Sequence, residues 1–206
     1  MKIDLHVHAS ERSGCSVAQE ESLIQAAMQA GLDALCFTDH HAFIPWARLQ
    51  NLNATYAPFR IFRGIEISTT DQEDILVIGV DAPELETADW SYADLYQLVR
   101  DADGFLALAH PFRFHDDVRI DTVRYPPDAI EGRSANIDPH RHKLIDAFIA
   151  SAERPMLCNS DAHAVNMIGG HCNELAHPVM ETGELIKILK QGRFTCHCHS
   201  RENTSV

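Results

Sequence analysis

The chain has 206 residues, 45% of them apolar, enough for one sizeable core and too few for two, so a single domain spanning 1–206 is expected. Its formal charge of −13 excludes a nonspecific nucleic-acid binder, because such a surface needs Lys and Arg to displace counterions from phosphates. No run of eighteen apolar residues occurs, and the opening MKIDLHVH has a strand pattern in place of a signal peptide, so no membrane association and a cytoplasmic setting are expected.

Short runs rich in Ile, Val, Leu and Phe alternate with longer amphipathic ones, the pattern of repeated strand and helix units. A first strand is predicted over 2–8. Ser16 with Gln19 three positions on reads as a capping box, and Leu23, Ile24, Ala27 and Met28 form the apolar face of the helix it opens, which stops at Gly31. A second strand follows over 34–38, then strands over 60–68, 75–80, 105–109, 129–131, 156–160 and 193–196. Helices are expected within 41–54, 91–103, 139–151 and 184–191, and the polar, proline-containing stretch 113–128 reads as a loop over the site. Seven or eight strands with helices between them predict an α/β barrel, whose catalytic groups stand at the C-terminal strand ends.

The six cysteines (Cys15, Cys36, Cys158, Cys172, Cys196 and Cys198) show neither a CxxC pair nor the dense spacing of a secreted scaffold, so reduced thiols are expected, with Cys36 and Cys158 as small buried hydrophobes. The CHCHS tail at 196–200 is readable as zinc-binding or as alternate residues of a terminal strand, and it stays outside the predicted site.

Nearly every predicted strand ends in a residue able to hold a metal. His6 and His8 close the first strand, Asp39 and His40 follow the second, and Glu66 lies late in the third. His110 follows the fifth, Glu131 ends the sixth, and Asp161 with His163 follows the seventh. Residues two apart in a strand share a face, so His6 and His8 can direct both imidazoles at one ion, and SDAH at 160–163 repeats the geometry with a carboxylate and an imidazole. If the strands run parallel, these groups converge.

Taken together, DLHVH at 4–8, FTDHH at 37–41, GIEIS at 64–68, AHP at 109–111 and NSDAH at 159–163 resemble, in order, the motifs of the PHP (polymerase and histidinol phosphatase) domain family. The resemblance implies a distorted (β/α)7 TIM-like barrel with two or three divalent cations and phosphoesterase or related hydrolase chemistry. It implies that His6, His8, Glu66 and Asp161 hold one metal, that Glu66 bridges to a second held also by His110, and that His40 and His163 hold a third. Asp74 stands near the position where relatives place another His, and it is taken as a replacement ligand. Ser13 and Gly14 occupy the positions where many relatives carry Asp or His, so either Glu11 or Cys15 substitutes there or the third site is weak or empty.

Such a centre suits hydrolysis. A bridging carboxylate holds two cations roughly 3.5–4 Å apart, where a water ionises near neutral pH, and the same charge neutralises developing phosphoryl oxygens. Imidazole-rich sites suit Zn, Fe or Mn. Asp161 and His163 are taken as the catalytic pair, and Arg113 and Arg12 as clamps for a bound phosphate. Asp39 is read as orienting an imidazole, while Glu131 and Asn136 near the sixth strand are given no catalytic role. The expected reaction is cleavage of a small phosphorylated metabolite or nucleotide. Two alternatives differ in class: an amide or ester hydrolase of the amidohydrolase type, and a metal-binding domain without turnover. The first commonly bridges its metals with a modified lysine, yet Lys2, Lys143, Lys187 and Lys190 are the only lysines and none sits at a predicted ligand position.

Overall fold

The computed structural model describes residues 1–198, so His199 and Ser200 of the CHCHS tail lie outside the described residues. In chain order the elements are β1 (Lys2–Val7), α1 (Glu20–Gln29), β2 (Ala34–Phe37), α2 (Trp46–Thr55), β3 (Arg60–Ser68), β4 (Asp74–Ile78), α3 (Tyr92–Asp101), β5 (Phe105–Leu108), β6 (Ala129–Arg133), α4 (His142–Ala152), β7 (Met156–Cys158), β8 (His171–Leu175), α5 (Thr182–Lys190) and β9 (Phe194–Cys198). The strands form one mixed sheet in the order β7-β6-β5-β4-β3-β2-β1-β8-β9.

The α/β barrel expectation holds in outline, but the regular (β/α)7 repeat is not formed. β4 runs antiparallel to both β3 and β5, because only residues 69–73 separate it from β3, and a parallel return needs a crossover of a dozen or more residues. The β8–β9 hairpin adds a strand that the polar HCNEL sequence did not signal. Asn173 explains its presence: its side chain accepts from Cys158 N and donates to Cys158 O, so one amide on β8 substitutes for a backbone ladder to β7.

The sheet curls until its first and seventh strands meet. Val7 bridges to Ala162 in parallel, with His8 N donating to Ala162 O, while the opposite end of β1 pairs with β8. α5 packs Leu185, Ile188 and Leu189 into the cluster of Ile3, Leu5, Cys36, Phe62, Ile78 and Phe105, plugging the end away from Val7. Gly79, at φ 81°, admits this helix, since a Cβ there would sit 2.1 Å from Ile186 Cδ1. α1 and α2 cover the outer faces of β1–β3 through Leu23, Ile24, Leu49 and Leu52. α3 covers β4 and β5 through Tyr92, Leu95 and Val99. Because both faces are covered, β2, β4 and β5 read as continuous apolar runs, which is why they were legible in the sequence.

β1 carries an irregularity. Its register with β2 slips by one residue between Asp4 and Val7. Below the slip Ile3 and Leu5 pack in the cluster that fills the barrel, whereas above it Val7 packs outward with Leu35 and Phe37. The slip turns His6 and His8 inward, the re-aiming that bulges beside active sites produce.

The capping box read at Ser16 and Gln19 is not formed. Gln19 is the N-cap of α1 and makes no side-chain cap bond. The Glu11 carboxylate accepts from Glu20 N instead, and Ser16 Oγ donates to His8 O and His163 O.

Candidate metal centre

All eight side chains expected as ligands gather at one end of the barrel. Glu66 is the hub. Its Oε1 lies 3.3 Å from His6 Nε2 and 3.1 Å from His110 Nε2, and its Oε2 lies 3.2 Å from His8 Nε2 and 3.1 Å from His40 Nδ1. Asp161 Oδ1 stands 3.4 Å from His6 Nε2, 3.3 Å from His8 Nε2 and 3.5 Å from His163 Nδ1. Asp74 Oδ2 is 3.9 Å from His110 Nε2, so the reversal of β4 delivers its first residue to the rim where the other strands deliver their last.

The electrostatic state of this cluster calls for cations. His6 Nε2, His8 Nε2, Glu66 Oε2 and Asp161 Oδ1 are buried and make no hydrogen bond. Buried polar atoms left unsatisfied are costly, and four converging on one point are the signature of donors aimed at an ion. The donor set of imidazole and carboxylate fits a divalent transition metal. For Glu66, burial opposes ionisation, but the charge on His6, the hydrogen bond with His110 and the close approach of the His6 and His8 rings outweigh it and hold the carboxyl well below the usual range. Burial likewise opposes charge on His6, and Glu66, Asp161 and Glu131 more than compensate, so this imidazole is raised well above its ordinary value. On the open side burial prevails, and both His40 and His163 are lowered.

A second layer fixes the ligands' tautomers. His6 Nδ1 donates to Glu131 Oε1 at 3.1 Å, which turns Nε2 toward Glu66 and Asp161. Glu131 also accepts from His110 N and Asn159 Nδ2. His8 Nδ1 faces Ser13 Oγ at 3.4 Å, and that hydroxyl donates to Asp39 Oδ1 while accepting from His40 N. Asn136 Nδ2 donates to Asp161 Oδ2, and His163 Nδ1 donates to Asp161 O at 2.9 Å. From sequence, Glu131 and Asn136 have no role beyond the barrel rim, Ser13 stands only as a departure from the ligand pattern, and Asn159 is not singled out. The signal available for Glu131 was its place at a strand end; Ser13 and Asn159 offered none. His110, at φ 23°, and Asp161, at φ 49°, occupy backbone that non-glycine residues rarely adopt, held there by these bonds.

The two arginines have different settings. Arg113 Nη1 donates to Asp161 Oδ2 at 3.0 Å and its side chain is 30% exposed. It lines a cavity of about 150 Å³ with Asn136, Asp138 and Arg141. Arg12 is 9% exposed and spans Asp39 and Glu20, at 2.6 and 2.7 Å. Of the two residues weighed for the third site, Glu11 caps α1, whereas Cys15 groups with His8, His40 and His163, their ligand atoms all within 4.8 Å of one another. The stretch 113–128 is irregular and is tied beside Asp74, where Arg119 N donates to Glu73 Oε1. A larger cavity, about 460 Å³, lies at the other end of the barrel between Met1, Met28, Leu32, Phe59 and Met180, remote from every ligand named here.

The PHP domain model matches residues 4–163, and a PHP-associated model matches residues 139–194. Among solved structures, a two-domain protein from Bacteroides vulgatus containing a predicted PHP-like metal-dependent phosphoesterase superposes at TM-score 0.72 and 15% identity, over 97% of this chain and 65% of that one. An amidohydrolase from Chromobacterium violaceum with bound sulfate superposes at 0.65 and 16% identity, over 94% of this chain and 97% of that one. The lesion-specific endonuclease EndoQ of Pyrococcus furiosus superposes at 0.60 and 17% identity, over 93% and 56%. No curated protein matches the sequence. At these identities the structures carry the fold, and the motif-bearing stretch from Asp4 to His163 carries the family: the chain belongs to the PHP domain family.

Proposed function

We propose that this protein is a metal-dependent phosphoesterase acting on a small phosphorylated molecule or a nucleotide, with 1–206 as one hydrolase domain. The observation that carries the reading is the set of four buried, unbonded ligand atoms on His6, His8, Glu66 and Asp161 beside a cavity lined by Arg113. His6, His8, Glu66 and Asp161 would hold one ion, and Glu66, Asp74 and His110 a second. His40 and His163, with Cys15, would hold a third. Bound divalent ions would supply the charge that acidifies a water and offsets negative charge on phosphoryl oxygens. Zn, Fe and Mn suit the imidazoles, and the Cys15 thiol favours Zn or Fe at the third position.

The chain's own groups complete the site. Arg113, held by Asp161 at the mouth of the 150 Å³ cavity, is assigned to orienting the phosphate. Arg12, enclosed between Asp39 and Glu20, is reassigned from substrate clamp to anchoring the loop that carries Ser13 and Cys15. With Nδ1 committed to Asp161 O, His163 presents Nε2 as its lone-pair atom, and its lowered pKa keeps it neutral at pH 7. It serves with Asp161 as the pair that couples ligation to the Arg113 side.

A stable nucleic-acid complex is not part of this reading; a nucleotide end is, in keeping with the endonuclease among the structural neighbours. The test loads purified protein with Zn, Mn or Fe and assays an aryl phosphate, a panel of nucleoside monophosphates and a short oligonucleotide. Phosphate release that a chelator abolishes is expected. Silence on all three with metals bound would sink the phosphoesterase, and hydrolysis of acylated substrates alone would put the amidohydrolase reading in its place. Turnover of neither class by the fully loaded protein would leave a metal-binding domain.

A further inference from the structure

Three cysteines gather at the seam of the barrel, in a group that shares no ligand residue with the candidate metal centre. Cys158 ends β7, and Cys196 and Cys198, two apart on β9, share a face. β7 and β9 are the two edge strands of the sheet, so the sulfurs meet where the sheet's ends approach each other. Cys158 and Cys196 are joined by a disulfide across a Cα–Cα distance of 5.2 Å. This corrects the expectation that both are reduced thiols, and it arises because barrel closure brings residues 38 apart in sequence face to face. A disulfide needs two sulfurs, yet Cys198 Sγ lies 3.4 Å from Cys158 Sγ, and the three sulfurs lie within 4.8 Å of one another.

Sulfurs bound to one ion at about 2.3 Å stand roughly 3.8–4.0 Å apart. With the disulfide open, three sulfurs within 4.8 Å of one another are close enough to share one such ion. We propose that Cys158, Cys196 and Cys198, once reduced, form a separate three-thiolate site for a single thiophilic ion, Zn(II) or Cu(I), and that this site and the disulfide exclude each other. All-sulfur ligation selects soft ions over Mg, Ca or Mn. Entry is from the exposed side of Cys198, while buried Cys158 anchors the site to the barrel. Opening the disulfide takes two electrons and two protons from a dithiol reductant, which itself becomes a disulfide. Binding then displaces the three thiol protons to solvent. In either state β7 is held against β9, by a covalent bond or through the ion.

The test uses the full chain carrying Cys15→Ser, which removes the thiolate of the other centre. The protein is reduced under anaerobic conditions, stripped of metal and titrated with Co(II) and then Zn(II). A sulfur-to-cobalt charge-transfer band that saturates at about one equivalent and is displaced by Zn(II) is expected. It should vanish in Cys198→Ser, an exposed edge-strand change that leaves the core intact, and in the oxidised parent, which needs no substitution at the cluster. Elemental analysis should show about one Zn fewer in both. No charge-transfer band in the reduced parent would overturn the proposal, as would a band unchanged in Cys198→Ser. A disulfide that resists reduction in the native protein would also overturn it.

Discussion

Glu66 is buried yet ionised, and both conditions come from the imidazoles around it. Its oxygens face His6 and His110 on one side and His8 and His40 on the other, so one carboxylate is shared by two groups of ligands. Glu66→Gln keeps the volume and removes the charge. Its metal affinity is predicted to fall by more than the roughly 10–100-fold that losing an outer partner costs, and elemental analysis showing a full complement would contradict this. Arg113→Ala is predicted to raise KM for a phosphoester with metal content unchanged; identical kinetics would remove Arg113 from the site. Asp4 is a third case. Burial raises its carboxyl to about 6, against bonds from Ser160 and His6 that pull it down. The folded protein therefore holds this proton more tightly than the unfolded chain does, so the stabilisation is full below pH 3.8 and is lost as pH rises through about 6. The loss is at most about 3 kcal/mol. Asp4→Asn should remove it, so urea unfolding of the metal-free proteins at pH 4 and pH 7 should show the variant gaining on the parent at the higher pH; parallel pH profiles would refute the assignment. The side chains that gather at the rim were readable as candidate ligands from residue type at strand ends. Asp4 and Ser13 were not, because a buried aspartate and a relay hydroxyl look like any surface residue until the fold encloses them.

At the scale of elements, two departures from regularity place the ligands. The register slip in β1 turns His6 and His8 inward above a lower half that packs Ile3 and Leu5 into the same barrel. The tight β3–β4 connection reverses a strand so that its first residue, Asp74, reaches the rim. Asp74→Ala is predicted to remove about one equivalent of metal, from the pair it forms with His110, while the ion on His6 and His8 is retained; loss of all metal, or of none, would show that Asp74 does not serve one ion alone. Strand positions were readable because both-face burial leaves unbroken apolar runs in β2, β4 and β5. The slip was invisible because KIDLHV alternates as well with it as without it. β8 was missed because its pairing depends on the Asn173 amide, a contact that strand propensity does not encode.

Across the whole molecule, the candidate cluster is expected to tie folding to metal supply. The described chain has no helix long and apolar enough to cross a membrane, and its stability rests on a barrel whose rim concentrates buried carboxylates. An ion bound at about 1,000 times its Kd adds about 4 kcal/mol, which in a chain of this size moves Tm by on the order of 10 °C. Chelation is predicted to lower Tm by that amount in scanning calorimetry, and an unchanged Tm would mean that the ions are peripheral to the fold. The ligands come from both ends of the matched stretch, and the Val7–Ala162 bridge that shuts the barrel needs the same two ends. A nascent chain on the ribosome holds His6, His8 and Glu66 long before Asp161 emerges, so neither the Val7–Ala162 bridge nor the full candidate site on these four residues is expected to form until most of its length has been made. If the cluster holds its ions as proposed, barrel closure and ion capture should coincide late in synthesis, and starvation for the ion should leave newly made chains open to proteolysis while mature ones survive.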